Sequence, residues 1–195
     1  MVEGLRLFRQ ADEELRTLIA VDDAASKNAL AAICRHWADT LFATDRGEEA
    51  APLYRQAARL WRDLPNEAEL HIGQLCLLLT CADETFRDPK LAVTIAEQLP
   101  TSDNVRSCSL LSLAKAQLGD TDAAERLAKQ SRQLIADGNT TAAFVLTLVE
   151  HQRGRKADAV AAFDAATQQM NDHHPANWSA RRLREMVANE LSIAP

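Results

Sequence analysis

The feature that most constrains this chain is a helix-turn-helix pattern that occurs twice, at an offset of 35 residues. The copies begin at Leu110 and Val145 and have the sequences LLSLAKAQLGDTDAAERLAKQS and VLTLVEHQRGRKADAVAAFDAA. In each copy an apolar run at helical spacing precedes a glycine and another follows it, which predicts two helices joined by a tight turn. A repeat of this period is typical of solenoids, in which each unit packs on its neighbours.

The residues that match between the two copies are those that a helical hairpin needs. Gly119 and Gly154 are predicted to close the first helix in a left-handed conformation, which costs glycine little because it has no Cβ. Ala124 and Ala159 lie five residues further on. We expect the two helices to approach closely there, because a larger side chain would force them apart. The repeat thus predicts both the turn and the crossing point of each pair.

The composition favours an all-helical fold. Alanine and leucine dominate, only six glycines and six prolines occur, and no alternating segment indicates a strand. At 195 residues the chain has room for about four hairpins in a single domain. The predicted units are a lone helix at 3–20, hairpins at 27–64, 66–99, 103–137 and 140–170, and a capping helix at 176–192.

The first hairpin departs from the central copies in two ways. Its turn is predicted at Asp45, Arg46 and Gly47, so its glycine falls two residues later than in the central copies. Pro52 lies one turn inside its second helix and removes a hydrogen bond, which predicts a late start or a bend. In the next hairpin, the pair Asp88-Pro89 predicts the capping and first residues of a helix.

The central pattern resembles the tetratricopeptide repeat, a helical hairpin of roughly 34 residues. The run LCLLLTCADETFRDPKLAVTIAEQLP, followed by the two glycine turns, is similar to tetratricopeptide tails of large multidomain bacterial proteins, including Ser/Thr protein kinases and WD40-repeat proteins. The resemblance covers residues 70 to 192. It implies a right-handed superhelix of hairpins with a carboxyl-terminal capping helix, and a chain that is part of a larger protein.

The resemblance also implies a function. In tetratricopeptide arrays the first helix of each hairpin lines a concave groove, so we expect a protein-interaction scaffold that binds a peptide or a partner helix. By register the candidate groove residues are Arg35, Asp39, Phe42, Arg106, Ser109, Leu113, Gln117, Phe144, Leu148, His151 and Gln152. The alternatives are a structural module that docks on a neighbouring domain or on a second copy of itself, and a small-ligand sensor or helical enzyme.

The charge of the chain argues against a nucleic-acid surface. The formal net charge is −6 and the isoelectric point is about 5.4. The one notable basic run, Arg181, Arg182 and Arg184, is interpreted as the solvated face of a terminal helix. No apolar run approaches the ~20 residues of a membrane span. We therefore expect a protein or peptide partner, and neither nucleic acid nor membrane.

The sequence contains no recognisable catalytic or cofactor motif. A phosphate-binding glycine loop, HExxH and a nucleophile elbow are all missing, so no enzyme activity, cofactor or metal is predicted. Cys76 and Cys81 have no second pair at metal-ligand spacing, and His173 and His174 are interpreted as part of a polar loop. The four cysteines are expected to pack in the core, in a reducing, cytoplasmic compartment.

Overall fold

The computed structural model describes residues 23–65, 68–99, 104–134, 139–173 and 178–193, together with Gln10. Within these ranges every regular element is a helix, which confirms the predicted all-α class. The predicted lone helix at 3–20 lies outside the described residues, apart from Gln10. The chain divides into two compact units, Met1–Arg87 (unit 1) and Asp88–Pro195 (unit 2).

Unit 1 contains one helical pair and a third helix. The pair is α1 (Ala24–Phe42) and α2 (Gly47–Arg62), which correspond to the predicted hairpin at 27–64. Helix α3 (Ala68–Thr80) packs on both members of the pair and is followed by a short 3-10 turn, Glu84–Phe86. The core between these helices holds the buried residues Leu30, Cys34, Ala38, Leu41, Ala50, Tyr54, Ala57, Trp61 and Leu77.

Trp61 explains why α3 carries a glycine. Its ring is fully buried, and its Nε1 donates a hydrogen bond to Asn28 Oδ1 at 2.8 Å. A Cβ atom at Gly73 would lie only 2.5 Å from this ring. The absence of a side chain at Gly73 therefore lets α3 approach α2 closely.

The turn between α1 and α2 is made by an aspartate. Asp45 has a φ of +59°, and the N–H of Arg46 donates to the carbonyl of Leu41 at 3.0 Å. Helix α2 then begins at Gly47 and includes Pro52. The turn lies where the sequence predicted it, and its left-handed residue is Asp45. The late helix start predicted from Pro52 does not occur.

Unit 2 contains two stacked helical pairs between two single helices. Helix α4 (Pro89–Ala96) precedes the pairs α5 (Val105–Gln117) with α6 (Thr121–Leu134) and α7 (Thr140–Gln152) with α8 (Lys156–His173). Helix α7 packs on both α5 and α6, and α9 (Trp178–Leu191) packs on both α7 and α8. The second pair therefore packs on the first, and α9 packs on the second pair.

The repeat of 35 residues is visible in the backbone. Helix α7 begins and ends 35 residues after α5, and Lys156 starts α8 35 residues after Thr121 starts α6. An asparagine caps the first helix of each pair. Asn104 Oδ1 accepts a hydrogen bond from the N–H of Ser107 at 3.1 Å. Asn139 Oδ1 accepts one from the N–H of Ala142 at 3.2 Å. The copies thus share their helix starts as well as their turns.

The two turn glycines adopt the predicted left-handed conformation. Gly119 and Gly154 have φ values of +79° and +77°. In each turn the N–H of the residue after the glycine donates to the carbonyl five residues earlier. These bonds join Asp120 to Lys115 and Arg155 to Glu150, each with an N···O distance of 3.0 Å. A Cβ atom at either glycine would meet nothing within 4 Å. The glycines are therefore needed for backbone conformation. Ala124 and Ala159, where close crossings were predicted, are fully buried.

The predicted hairpin at 66–99 is divided between the units, because α3 belongs to unit 1 and α4 to unit 2. Its second helix starts as predicted. Asp88 Oδ1 accepts the N–H of Leu91 at 2.9 Å, and Pro89 is the first helical residue.

Candidate partner-binding surface

Six of the eleven predicted groove residues are buried. They are Arg35, Asp39, Ser109, Leu113, Phe144 and Leu148, each at most 5% exposed. A buried side chain cannot contact a partner without leaving the core. These six residues therefore pack the interior, and we do not retain them as contacts for a partner.

The packing of unit 2 explains this burial. Helix α5 contacts α4, α6 and α7, and α7 contacts α5, α6, α8 and α9. Every residue of α5 from Ser107 to Ala114 is buried, so this helix has no open face along its middle. Phe144 of α7 packs against Phe163 of the same pair, with ring centroids 5.8 Å apart. The groove prediction used only the position of each residue within the repeat, which does not take account of these neighbouring helices.

Three of the remaining candidates gather at the carboxyl ends of α5 and α7. Gln117 and His151 are half-buried and Gln152 is exposed. Gln152 Nε2 donates to the carbonyl of Ala116 at 2.8 Å, which joins the two helix ends, and Gln117 Nε2 lies 3.7 Å from Met186 Sδ of α9. We call the surface formed by Gln117, Leu118, His151, Gln152 and Met186 the carboxyl-terminal rim.

The last two candidates lie elsewhere. Arg106 is exposed near the start of α5, at the end opposite to the rim. Phe42 is 36% exposed and ends α1 in unit 1. The structure thus gathers only part of the predicted set.

Leu118 and Met186 were not predicted. Leu118 is 41% exposed although it is a large apolar residue at the C-cap of α5. Its position directly before a turn glycine was a usable signal, because a cap residue leaves the helix and can turn toward solvent. Met186 had no such signal, since it joins the rim only through the packing of α9.

The rim combines groups that suit peptide recognition. Glutamine amides donate and accept hydrogen bonds, as does a neutral imidazole, so Gln117, His151 and Gln152 offer partners for peptide N–H and C=O groups. Leu118 and Met186 add apolar surface beside them. The arrangement can bind a polypeptide by mixed polar and apolar contacts.

Ion pairs join the two helical pairs next to the rim. Arg153, in the turn between α7 and α8, forms ion pairs with Asp122 and Glu125 of α6, each with an N···O distance of 2.8 Å. Glu125 also pairs with Lys129 at 2.6 Å. Hydrogen bonds from Lys129 and Arg153 lower the pKa of Glu125. Individual surface pairs contribute little to stability, but this network connects one turn directly to the preceding pair.

Unit 1 contains a different polar cluster, and this one is buried. The Tyr54 hydroxyl donates to Asp39 Oδ1 at 2.7 Å, and Arg35 Nε lies 3.6 Å from Asp39 Oδ2. The side chains of Arg35 and Asp39 are 4% and 0% exposed. Two guanidinium nitrogens of Arg35, Nε and Nη2, have no hydrogen-bond partner among the described residues. The cluster joins α1 to α2 inside the core.

Burial makes the neighbouring thiol and phenol unreactive as nucleophiles. It raises the pKa of Cys81 to about 12, and it raises the pKa of Tyr54, with the Asp39 carboxylate adding to both shifts. Phe86 packs on Tyr54 with ring centroids 5.1 Å apart, and Arg87 Nε donates to the Cys81 carbonyl at 2.8 Å. This cluster is therefore part of the packing of unit 1 rather than a reactive site.

The sequence also singled out candidate metal ligands, a pair of adjoining histidines and a basic run. Within the described ranges, no His, Cys, Asp and Glu residues form a group suited to a metal ion. His173 is exposed at the end of α8, whereas His174 lies outside the described residues. Arg182 pairs with Glu185 at 2.9 Å, so the basic run on α9 is partly neutralised.

In the part of the chain that the structure describes, no helix has both the length and the apolar character needed to cross a bilayer.

Fold and surface together define a class: an all-helical protein whose second unit is built from stacked helical pairs. Comparison with protein-family models, with curated protein sequences and with solved structures found no match. The resemblance to tetratricopeptide arrays stays a prediction.

Proposed function

We propose that this chain is a non-catalytic protein-interaction scaffold that binds a peptide or a partner helix at the carboxyl-terminal rim. The observation that best supports this is the stacking of two pairs of the same design, which brings the ends of α5 and α7 side by side. Packed helices lie about 8–10 Å apart. An extended ligand can therefore meet similar groups at regular intervals along the rim.

The groups on the rim favour a polypeptide ligand. Glutamine and histidine side chains satisfy backbone N–H and C=O groups, and the exposed Leu118 provides an apolar contact beside them. A bacterial multidomain context and a cytoplasmic location belong to the same proposal; the first is supported by the sequence resemblance and the second by the four cysteines, which form no disulfide framework.

Site-specific photo-crosslinking in the native cell tests this proposal. The crosslinking amino acid benzoylphenylalanine would replace Leu118 on the rim or, as a control, Val160 on the outer side of α8. The two positions are matched, since Leu118 is 41% and Val160 is 40% exposed. We expect discrete crosslinked partner proteins from position 118 and none of these from position 160.

Two further variants sharpen this result. Gln152→Glu adds a charge to the rim and should abolish the crosslinked species, while Arg126→Glu on the outside of α6 should leave them unchanged. Identical products from positions 118 and 160, or no product from either, would refute binding at the rim.

A structural module is the second candidate, because the predicted groove residues are packed inside the molecule instead of being open. In that case the helical pairs dock on a neighbouring domain or on a second copy. Sedimentation of the purified chain distinguishes self-association from a monomer. A dimer, together with crosslinks at position 118 only to the chain itself, would favour the structural module over the scaffold.

A further inference from the structure

Helix α2 in unit 1 carries three arginines along one line. Arg55, Arg59 and Arg62 occupy positions i, i+4 and i+7, which share one face of an α-helix. All three are exposed, whereas the opposite face of α2 holds the buried Ala50, Tyr54, Ala57 and Trp61. The three guanidinium groups therefore point away from the core of unit 1.

These arginines lack carboxylate partners among the described residues, as do Arg106, Arg126 and Arg132, but on α2 three of them share one helical line. Arg46, Arg153 and Arg182 each pair with a Glu or Asp within 3 Å. Among the described residues, the guanidinium groups of Arg55, Arg59 and Arg62 have no hydrogen-bond or ion-pair partner. The chain thus has three exposed arginines in a line without an ion pair among the described residues, although its formal net charge is −6 and the exposed Asp63 follows at the C-cap of the same helix.

We propose that this line, the α2 arginine stripe, docks an acidic helical segment of a partner protein. The stripe spans about 10 Å, because an α-helix rises 1.5 Å per residue. A partner helix with carboxylates at i, i+4 and i+7 presents the same spacing. The planar guanidinium group binds a carboxylate through two parallel hydrogen bonds, which lysine cannot do.

The charge of the molecule selects a protein partner over other anions. Nucleic acid and anionic lipid surfaces attract chains with extensive basic patches, since each added phosphate contact contributes to binding. Here only three positive charges stand in a line on a negatively charged chain. A short acidic segment matches both the size and the sign of the stripe.

This docking site is independent of the rim, because the stripe lies in unit 1 and the rim in unit 2. Failure of one proposal leaves the other untouched. A nuclear magnetic resonance titration tests the stripe directly. The probe is a helical peptide with glutamates at i, i+4 and i+7, and the control probe has glutamines at these positions.

We expect the amide signals of α2 to shift on addition of the glutamate peptide and not of the glutamine peptide. The triple variant Arg55→Gln, Arg59→Gln, Arg62→Gln should bind the peptide about tenfold more weakly, which corresponds to three exposed ion pairs. Added salt should weaken binding to the unsubstituted chain, because exposed charges are screened.

A charge-matched control separates the stripe from the overall charge. The triple variant Arg126→Gln, Arg132→Gln, Lys156→Gln also removes three exposed positive charges, but Arg126 and Arg132 are six positions apart and point in different directions. It should bind as the unsubstituted chain does. Equal weakening by both variants, or shifts outside α2, would overturn the proposal. Stronger binding of an RNA oligonucleotide or of phosphatidylserine vesicles through the same three arginines would also overturn it.

Discussion

The first hairpin and the last hairpin have the same register and different interiors. When the left-handed residues Asp45 and Gly154 are aligned, Asp39 falls on Leu148 and Tyr54 on Phe163. All four of these side chains are buried. The first hairpin joins its helices with a hydrogen bond between Tyr54 and Asp39, whereas the last joins them with apolar contacts.

A helical pair of this geometry can therefore form around either polar or apolar buried side chains. The small residues at the crossing, Ala50 and Ala159, are the same in both hairpins. The flanking positions accept either a carboxylate and a phenol or a leucine and a phenylalanine. A buried ionic cluster is nevertheless more sensitive to the loss of one member, because the remaining charge is left without a partner.

The largest expected effect comes from Asp39→Leu, which introduces the residue of the last hairpin. It leaves the buried Arg35 without its carboxylate and the Tyr54 hydroxyl without its acceptor. We expect a loss of about 3–5 kcal/mol in the free energy of unfolding. Urea unfolding followed by circular dichroism and tryptophan fluorescence measures this loss.

The triple variant Arg35→Phe, Asp39→Leu, Tyr54→Phe completes the exchange, and it should recover most of the loss because no buried charge remains. If the triple variant were as unstable as Asp39→Leu, the two interiors would not be interchangeable.

Leu148→Ala tests the apolar interior at the matching position. Leu148 is 5% exposed, and its truncation leaves a cavity between α7 and its neighbours. We expect a loss of about 3 kcal/mol in the free energy of unfolding. The control is Leu118→Ala, which removes the same atoms from an exposed site and should change stability by less than about 0.5 kcal/mol. Similar losses from both variants would contradict the burial of α7.

Tyr54→Phe isolates the hydrogen bond of the first hairpin. The ring and its contact with Phe86 are kept, while Asp39 Oδ1 loses a donor at 2.7 Å. Because this bond involves a charged group, we expect a loss of about 1.5–3 kcal/mol. The same urea unfolding measures it. An unchanged midpoint would mean that water or another group replaces the hydroxyl.

The turns give the smallest effects. Gly154→Ala places a side chain at a φ of +77°, where nothing crowds it, so the cost is backbone strain of about 1–2 kcal/mol. Asp45→Gly relieves strain at a φ of +59° and should raise stability by at most about 1 kcal/mol. Thermal unfolding measures both effects: the midpoint temperature should fall for Gly154→Ala and rise for Asp45→Gly. Destabilisation by Asp45→Gly would show that its carboxylate has a role in the turn.

The sequence predicted the features that depend on nearby residues. The glycine turns, the cap at Asp88 and the burial of Ala124 and Ala159 all follow from local preferences and from the repeat. The sequence predicted the turn of the first hairpin but did not single out Asp45 as its left-handed residue, because aspartate adopts this conformation less often than glycine. Pro52 did not delay α2, since a helix can continue through a proline when it gives up one hydrogen bond.

The candidate surface was predicted only in part. Register selected Gln117, His151 and Gln152, and these residues lie at the carboxyl ends of α5 and α7, which the hydrogen bond from Gln152 to Ala116 joins. Register also selected Leu113, Phe144 and Leu148, which are buried because α5 and α7 have neighbours on several sides. The number of neighbours around a helix depends on contacts between residues far apart in the chain, so a pattern within one helix does not reveal it.

By itself, the sequence determined that this chain is helical, that its second half repeats every 35 residues and where the turns of those repeats lie. These properties come from steric limits on single residues and from helical spacing, which act over a few positions. Only the tertiary structure decided which faces are covered, that Asp39 and Tyr54 meet inside unit 1 and that Leu118 and Gln152 of the rim and the α2 arginine stripe stay exposed. Those outcomes depend on how whole helices pack, because each helix is buried or exposed by its neighbours and not by its own residues.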